Sequence, residues 1–183
     1  MSLPADVTRR VGPRRVKRVV YDADTIRQRV LQLGAELTST YPEGDLLLVG
    51  LLKGSFIFLA DLARVIERPL QVDFIRVSSY GTGRESSGQV ELLYDPETSL
   101  RGKHVVLVED IIDSGRTLTR LLALLSARGP ASLSVCALLD KQLADALPEA
   151  RFIGFKAPAV FLVGYGLDHA EDFRHLPFIA ELD

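Results

Sequence analysis

Hydrophobic positions along the chain follow two periods in turn. Ile26, Val30, Leu33 and Leu37 recur at helical spacing, and the stripe continues to Thr40 with Asp24 as the candidate N-cap. Pro42 and Gly44 end it. Asp45-Leu-Leu-Leu-Val-Gly50 is a short continuous apolar run, the pattern of a strand covered on both faces. Leu51-Leu52-Lys53-Gly54-Ser55 closes that strand, and a mostly apolar helix runs on to about Ile66. Residues 71–77 and 90–94 have strand character on either side of the glycine- and serine-rich stretch 78–88. Four β-favouring aliphatics, residues 105–108, stop abruptly at Glu109 and Asp110, where a short acidic loop is expected. After it, Leu118, Leu121, Leu122 and Leu125 mark one face of a helix. Further strands are predicted over residues 131–139 and 152–155 and within 160–168. Alternating strands and helices predict an α/β fold with a parallel sheet. Folded structure is expected to begin near Val19.

Composition changes little in this picture. A chain of 183 residues with 47% hydrophobic and 25% charged residues suits one domain with an ample core. The single cysteine, Cys136, lies in an apolar run and reads as a buried small hydrophobe, so no disulfide framework is expected. There is no signal-peptide pattern and no apolar run long enough to span a bilayer, so a cytoplasmic protein without membrane contact is expected.

Charge is more informative. Arg9, Arg10, Arg14, Arg15, Lys17 and Arg18 crowd the start, while residues 19–183 carry 16 basic against 23 acidic groups, a balance of −7. The chain divides into a basic N-terminal arm, residues 1–18, and one domain, residues 19–183. The arm reads as a solvated tail or one packed on a neighbouring subunit. Nucleic acid is not expected as a partner, because the remainder is acidic.

The chemistry concentrates after the fourth aliphatic strand, in Glu109-Asp-Ile-Ile-Asp113-Ser-Gly-Arg-Thr117. In a parallel α/β sheet, ligands bind just outside the carboxyl ends of strands, where this loop falls. A tight turn through Ser114, Gly115, Arg116 and Thr117 can aim backbone N–H groups at one point beside the positive end of the next helix, a phosphate cradle. Ionised Glu109 and Asp110 only accept hydrogen bonds, which suits a ribose diol or a hydrated magnesium ion. Phosphate on one side and hydroxyls on the other describe a ribose 5-phosphate site. The alternative is a polar loop that caps a helix, with Asp113 as N-cap. The motif is neither a Walker loop nor a dinucleotide fingerprint.

The order of residues 105–117 resembles the signature of the type I phosphoribosyltransferase family. Phe161-Leu-Val-Gly-Tyr-Gly-Leu-Asp168 followed by Phe173-Arg174 resembles the C-terminal signature of that family's hypoxanthine-guanine branch. The resemblance implies a parallel Rossmann-like sheet with helices on both faces. It also implies a small hood over the base, built from the N-terminal region and the chain after about Lys141. It implies pyrophosphate binding by Lys53, Gly54 and Arg174, with a cis peptide between Leu52 and Lys53. A lid carrying Ser79 and Tyr80 would close over the substrates. Lys141 would meet the 6-oxo group of a purine, Phe161 would stack on it, and the backbone at Leu162 would read its edge. Asp168 would join that subsite through a second magnesium, while Glu109 and Asp110 serve the first. Asp113 would be the general base. The sequence departs from the family at His169-Ala170-Glu171-Asp172, which replaces a Tyr-Asn-Glu run and puts local packing in question; His169 and His175 read as surface residues.

The implied reaction transfers 5-phosphoribosyl from its 1-diphosphate to hypoxanthine or guanine with magnesium, and a homodimer or homotetramer is expected. Two other readings stand beside it. One is a phosphoribosyltransferase for xanthine, adenine or a pyrimidine. The other is a regulator of this fold that senses the diphosphate sugar and binds nucleic acid through the basic arm.

Overall fold

Three strands with apolar centres dominate the architecture: Leu46–Leu51, His104–Ile112 and Ser132–Asp140. The computed structural model describes residues 16–79, 90–143 and 147–183, together with Val7, Arg10 and Val11. Numbered in chain order, the strands are β1 (Val16–Tyr21), β2 (Leu46–Leu51), β3 (Gln71–Ser79), β4 (Val90–Tyr94), β5 (His104–Ile112), β6 (Ser132–Asp140), β7 (Ala150–Lys156), β8 (Leu162–Val163) and β9 (Ile179–Leu182). The helices are α1 (Ala23–Thr40), α2 (Phe56–Val65) and α3 (Arg116–Ser126).

Six strands form the main sheet in the order β4-β3-β2-β5-β6-β7, parallel throughout except for antiparallel β4 at one edge. Side chains alternate between the faces of a strand, so each central run feeds two cores. Leu46, Leu48, Val106, Val108, Cys136 and Leu138 pack against Ile26, Val30, Leu33 and Leu37 of α1 and Phe58, Leu59 and Leu62 of α2. Leu47, Val49, Val105, Leu107, Val135 and Ala137 meet Leu118, Leu121, Leu122 and Leu125 of α3. Burying one such leucine fully contributes roughly 1.5–3 kcal/mol, and truncating it to alanine costs about 2–5 kcal/mol. The sheet thus has helices on both faces, as expected.

The cap of α1 differs from expectation. Asp22, not Asp24, is the N-cap: its carboxylate accepts from the Thr25 N–H at 2.7 Å while its own backbone is extended. Asp24 instead sits in the first turn and pairs with Arg27.

A second, antiparallel sheet, β1-β9-β8, forms the hood. Strand β1 starts at Val16, three residues before the expected onset, and β9 lies in a segment where no strand was expected. Lys17 and Arg18, counted in the basic arm, hold the buried Glu181 of β9 at 2.6 and 2.7 Å. Val7 and Val11 are buried with Val163, Phe173, Leu176, Phe178 and Ala180, so these two residues of the arm belong to the hood core. The chain after Lys141 is divided, because β7 extends the main sheet and only the later residues join the hood. Tyr21 fastens the two layers, stacking on Phe155 with ring centroids 4.3 Å apart and donating to the Lys156 carbonyl at 2.7 Å.

Candidate active site

Strand β5 runs further than its apolar run suggested. Glu109, Ile111 and Ile112 pair with Ala137, Leu139 and Asp140 of β6, so Glu109 and Asp110 stand on the strand's end and not in a loop. Only Asp113 and Ser114 remain before Gly115, whose φ of 69° makes it the N-cap of α3. The cap is glycine because the left-handed region costs other residues roughly 1–2 kcal/mol. No side chain caps this helix, and Asp113 does not fill that role. The first amides of α3 are therefore left to an incoming anion. A cavity of about 260 Å³ opens there, lined by Glu109, Asp113, Ser114, Gly115 and Thr117 among others. Arg116 is exposed on the first turn and does not line it.

The two adjacent carboxylates are in an unusual state. Oε2 of Glu109 is buried without a hydrogen-bond partner. Burial, then the neighbouring Asp110 carboxylate, pushes the Glu109 pKa well up, and burial also raises that of Asp110. A cation or a pair of ligand hydroxyls would satisfy both groups.

Opposite Asp110 lies the loop between β2 and α2, which contains the cis peptide between Leu52 and Lys53. A Cβ on Gly54 would fall inside the Asp110 carboxylate. On its other side, the Gly54 carbonyl occupies the place a Cβ on Gly166 would need. Gly54 is thus wedged between the end of β5 and the hood. The hood loop Gly164-Tyr165-Gly166 has positive φ at all three residues. Tyr165 anchors it by donating to Asp61 of α2 at 2.6 Å, and burial followed by that bond raises the tyrosine's pKa.

Charged side chains close this end of the site. Lys53 meets Glu171 at 2.9 Å, and Arg174 meets Asp168 at 2.9 Å and Glu171 at 3.3 Å. Arg174 also donates to the Gly166 carbonyl at 2.7 Å, while its buried Nε has no partner. From the sequence, Glu171 and Tyr165 were read only within longer runs and given no role, and Asp61 was not singled out. The spacing Asp168-x-x-Glu171-x-x-Arg174 was the available signal for the first. On the far side of Asp113, its Oδ2 pairs with Lys141 Nζ at 3.2 Å, joining the ends of β5 and β6. Phe161 is exposed and meets His169 edge-on, with centroids 5.5 Å apart. Leu162 is buried in β8. Ser79 ends β3, and Tyr80 with the rest of the expected lid lies outside the described residues. No cluster of three metal-ligating side chains forms among the described residues: Glu109 and Asp110 are adjacent, but Asp168 is turned to Arg174.

The pattern described as "Phosphoribosyl transferase domain" matches residues 19–170. The chain is 46% identical to the hypoxanthine phosphoribosyltransferase of Escherichia coli (strain K12) over 160 residues, covering 86% of this chain and 90% of that one. It is 44% identical to the hypoxanthine-guanine phosphoribosyltransferase of Bacillus subtilis (strain 168), covering 91% and 93%. A solved structure of a hypoxanthine phosphoribosyltransferase from Staphylococcus aureus superposes with a TM-score of 0.89 at 38% identity, covering 100% of this chain and 97% of that one.

Proposed function

The chain belongs to the phosphoribosyltransferase family, and on that premise we propose that it is a purine-salvage enzyme. It transfers the 5-phosphoribosyl group of 5-phosphoribosyl 1-diphosphate to hypoxanthine or guanine, giving IMP or GMP and pyrophosphate. The observation that carries this reading is the pairing, in one cavity, of an uncapped helix end with the buried, unpartnered Oε2 of Glu109. The first suits a phosphate and the second suits ribose hydroxyls or a cation.

In this reading Ser114, Gly115, Arg116 and Thr117 hold the 5-phosphate, and Lys53, Gly54 and Arg174 receive the diphosphate. Lys141 leaves Asp113 for the 6-oxo group of the purine. Asp113, freed at the same moment, takes or holds a ring proton as the bond to N9 forms, work worth ~10²–10⁴-fold. Phe161 offers its exposed ring to the purine face, with the Leu162 backbone at its edge, and Ser79 and Tyr80 belong to a lid.

Magnesium fits the residues present, since it takes one or two carboxylates and leaves the rest of its shell to substrate oxygens and water. Glu109 and Asp110 would hold one ion and Asp168 another, supplying positive charge against the departing diphosphate. A homodimer or homotetramer in the cytoplasm belongs to the same proposal; no described helix is long and apolar enough to cross a membrane. The deciding experiment measures catalytic efficiency with hypoxanthine, guanine, xanthine, adenine and a pyrimidine. Preference for adenine or a pyrimidine would overturn the 6-oxopurine assignment.

A further inference from the structure

The hood residue Glu171 has no part in the transfer described so far. Its carboxylate spans the two cations set at the diphosphate end, with Oε1 2.9 Å from Lys53 and Oε2 3.3 Å from Arg174. One cation comes from the β2–α2 loop and the other from the hood, so Glu171 bridges the two sides of the cleft as a phosphate group would. We infer that Glu171 is a built-in stand-in for the substrate's diphosphate, which must displace it on entry and is displaced by it on leaving. The inference rests on the reading of Lys53 and Arg174 as diphosphate ligands.

The backbone supports a dedicated role. His169 and Asp172 exchange both backbone hydrogen bonds, at 3.2 and 3.1 Å, around the two-residue turn Ala170-Glu171. Both turn residues have positive φ, 52° and 66°. That is a type I′ turn, which favours Asn-Gly because side chains are disfavoured at such angles. A glutamate kept at the second position gives up local comfort, the kind of outlier found where a side chain is needed at one place. Asp168 Oδ2 accepts from the Glu171 N–H at 2.9 Å, so the turn stays fixed while the mostly exposed side chain is free to swing out. The buried, unpartnered Nε of Arg174 then remains as a donor for an anion.

Glu171→Gln keeps the shape and removes the competing charge. Calorimetric titration with pyrophosphate and magnesium chloride should show binding about two- to tenfold tighter than wild type, the range for losing one or two exposed ion pairs. The KM for phosphoribosyl diphosphate should fall in step while that for hypoxanthine stays put, and Glu171→Ala should move the same way. Unchanged or weaker pyrophosphate binding in both variants overturns the role of Glu171. A wild-type protein that neither binds pyrophosphate nor converts hypoxanthine overturns the functional reading itself.

Discussion

Gly54→Ala is the sharpest test of the way the site is put together. The new methyl would sit inside the Asp110 carboxylate, and the loop cannot retreat because the Gly54 carbonyl is pressed against Gly166. Either Asp110 rotates, giving up its contact with the Ile111 N–H at 3.0 Å, or the loop bearing Lys53 shifts. Overfilling of this kind costs roughly 1–3 kcal/mol, which for a chain of this size lowers Tm by about 2–12 °C. A displacement of about 1 Å at the anion loop should cut kcat/KM by ~10²-fold, with the KM for phosphoribosyl diphosphate rising more than that for hypoxanthine. Thermal melts and initial rates read both effects. Because the clash is with one side chain, it should be strongly coupled to it: in an Asp110→Ala background, adding Gly54→Ala should cost at least about 0.5 kcal/mol less, within the usual range for touching residues. Two results refute the reasoning: a Gly54→Ala protein with wild-type Tm and KM, or a stability cost undiminished in the Asp110→Ala background.

Lys141→Ala should lose about 1.5–3 kcal/mol of catalytic efficiency with hypoxanthine and guanine, the worth of a charged hydrogen bond, without gaining adenine activity; efficiency ratios for the three bases check it. Glu181 has its pKa lowered from the usual 4.5 by Lys17 and then Arg18, so its contribution is present above that value and lost as pH falls through the depressed one. Glu181→Gln should therefore destabilise at pH 7, with the gap to wild type closing in acid; urea melts from pH 7 to 3 would show a constant gap if this is wrong. Ala170→Asn, at a positive-φ turn position that asparagine tolerates, should stabilise by about 0.5–1 kcal/mol and raise Tm by roughly 1–4 °C, read by calorimetry.

The centre of the main sheet was legible because its three strands there are buried on both faces and are nearly unbroken apolar runs, residues 46–50, 105–108 and 133–139. The leucine stripe of α3 was equally plain. The hood was not. In β9 the sequence Ile-Ala-Glu-Leu puts a carboxylate in the middle of a four-residue strand, and nothing local says that Lys17 and Arg18 come to neutralise it. Strand β1 was hidden by the same charges, which read as a tail until their partner is in place. At the site, the acidic pair was conspicuous, but its place on the strand was not, because β5 is prolonged by pairing with β6 rather than by its own side chains. Glu171 was hidden for another reason: only the turn geometry brings it to Lys53, 118 positions away.

The closing of the hood by β1 and β9 has a consequence for the order in which the protein assembles. Lys17 and Glu181 are 164 positions apart, whereas all strands of the main sheet lie between Leu46 and Lys156. A growing chain can finish that sheet, and with it the helix end at Gly115 and the carboxylates of β5, before β9 has been made. Pairing of such distant segments is slow when nothing holds them near each other, and the finished sheet is what brings them near. The newborn molecule therefore acquires the uncapped helix end and the β5 carboxylates first and the β1-β9-β8 sheet last. Unfolding from the native state runs the other way, so backbone amides of β1 and β9 should exchange with solvent ahead of those in β2, β5 and β6.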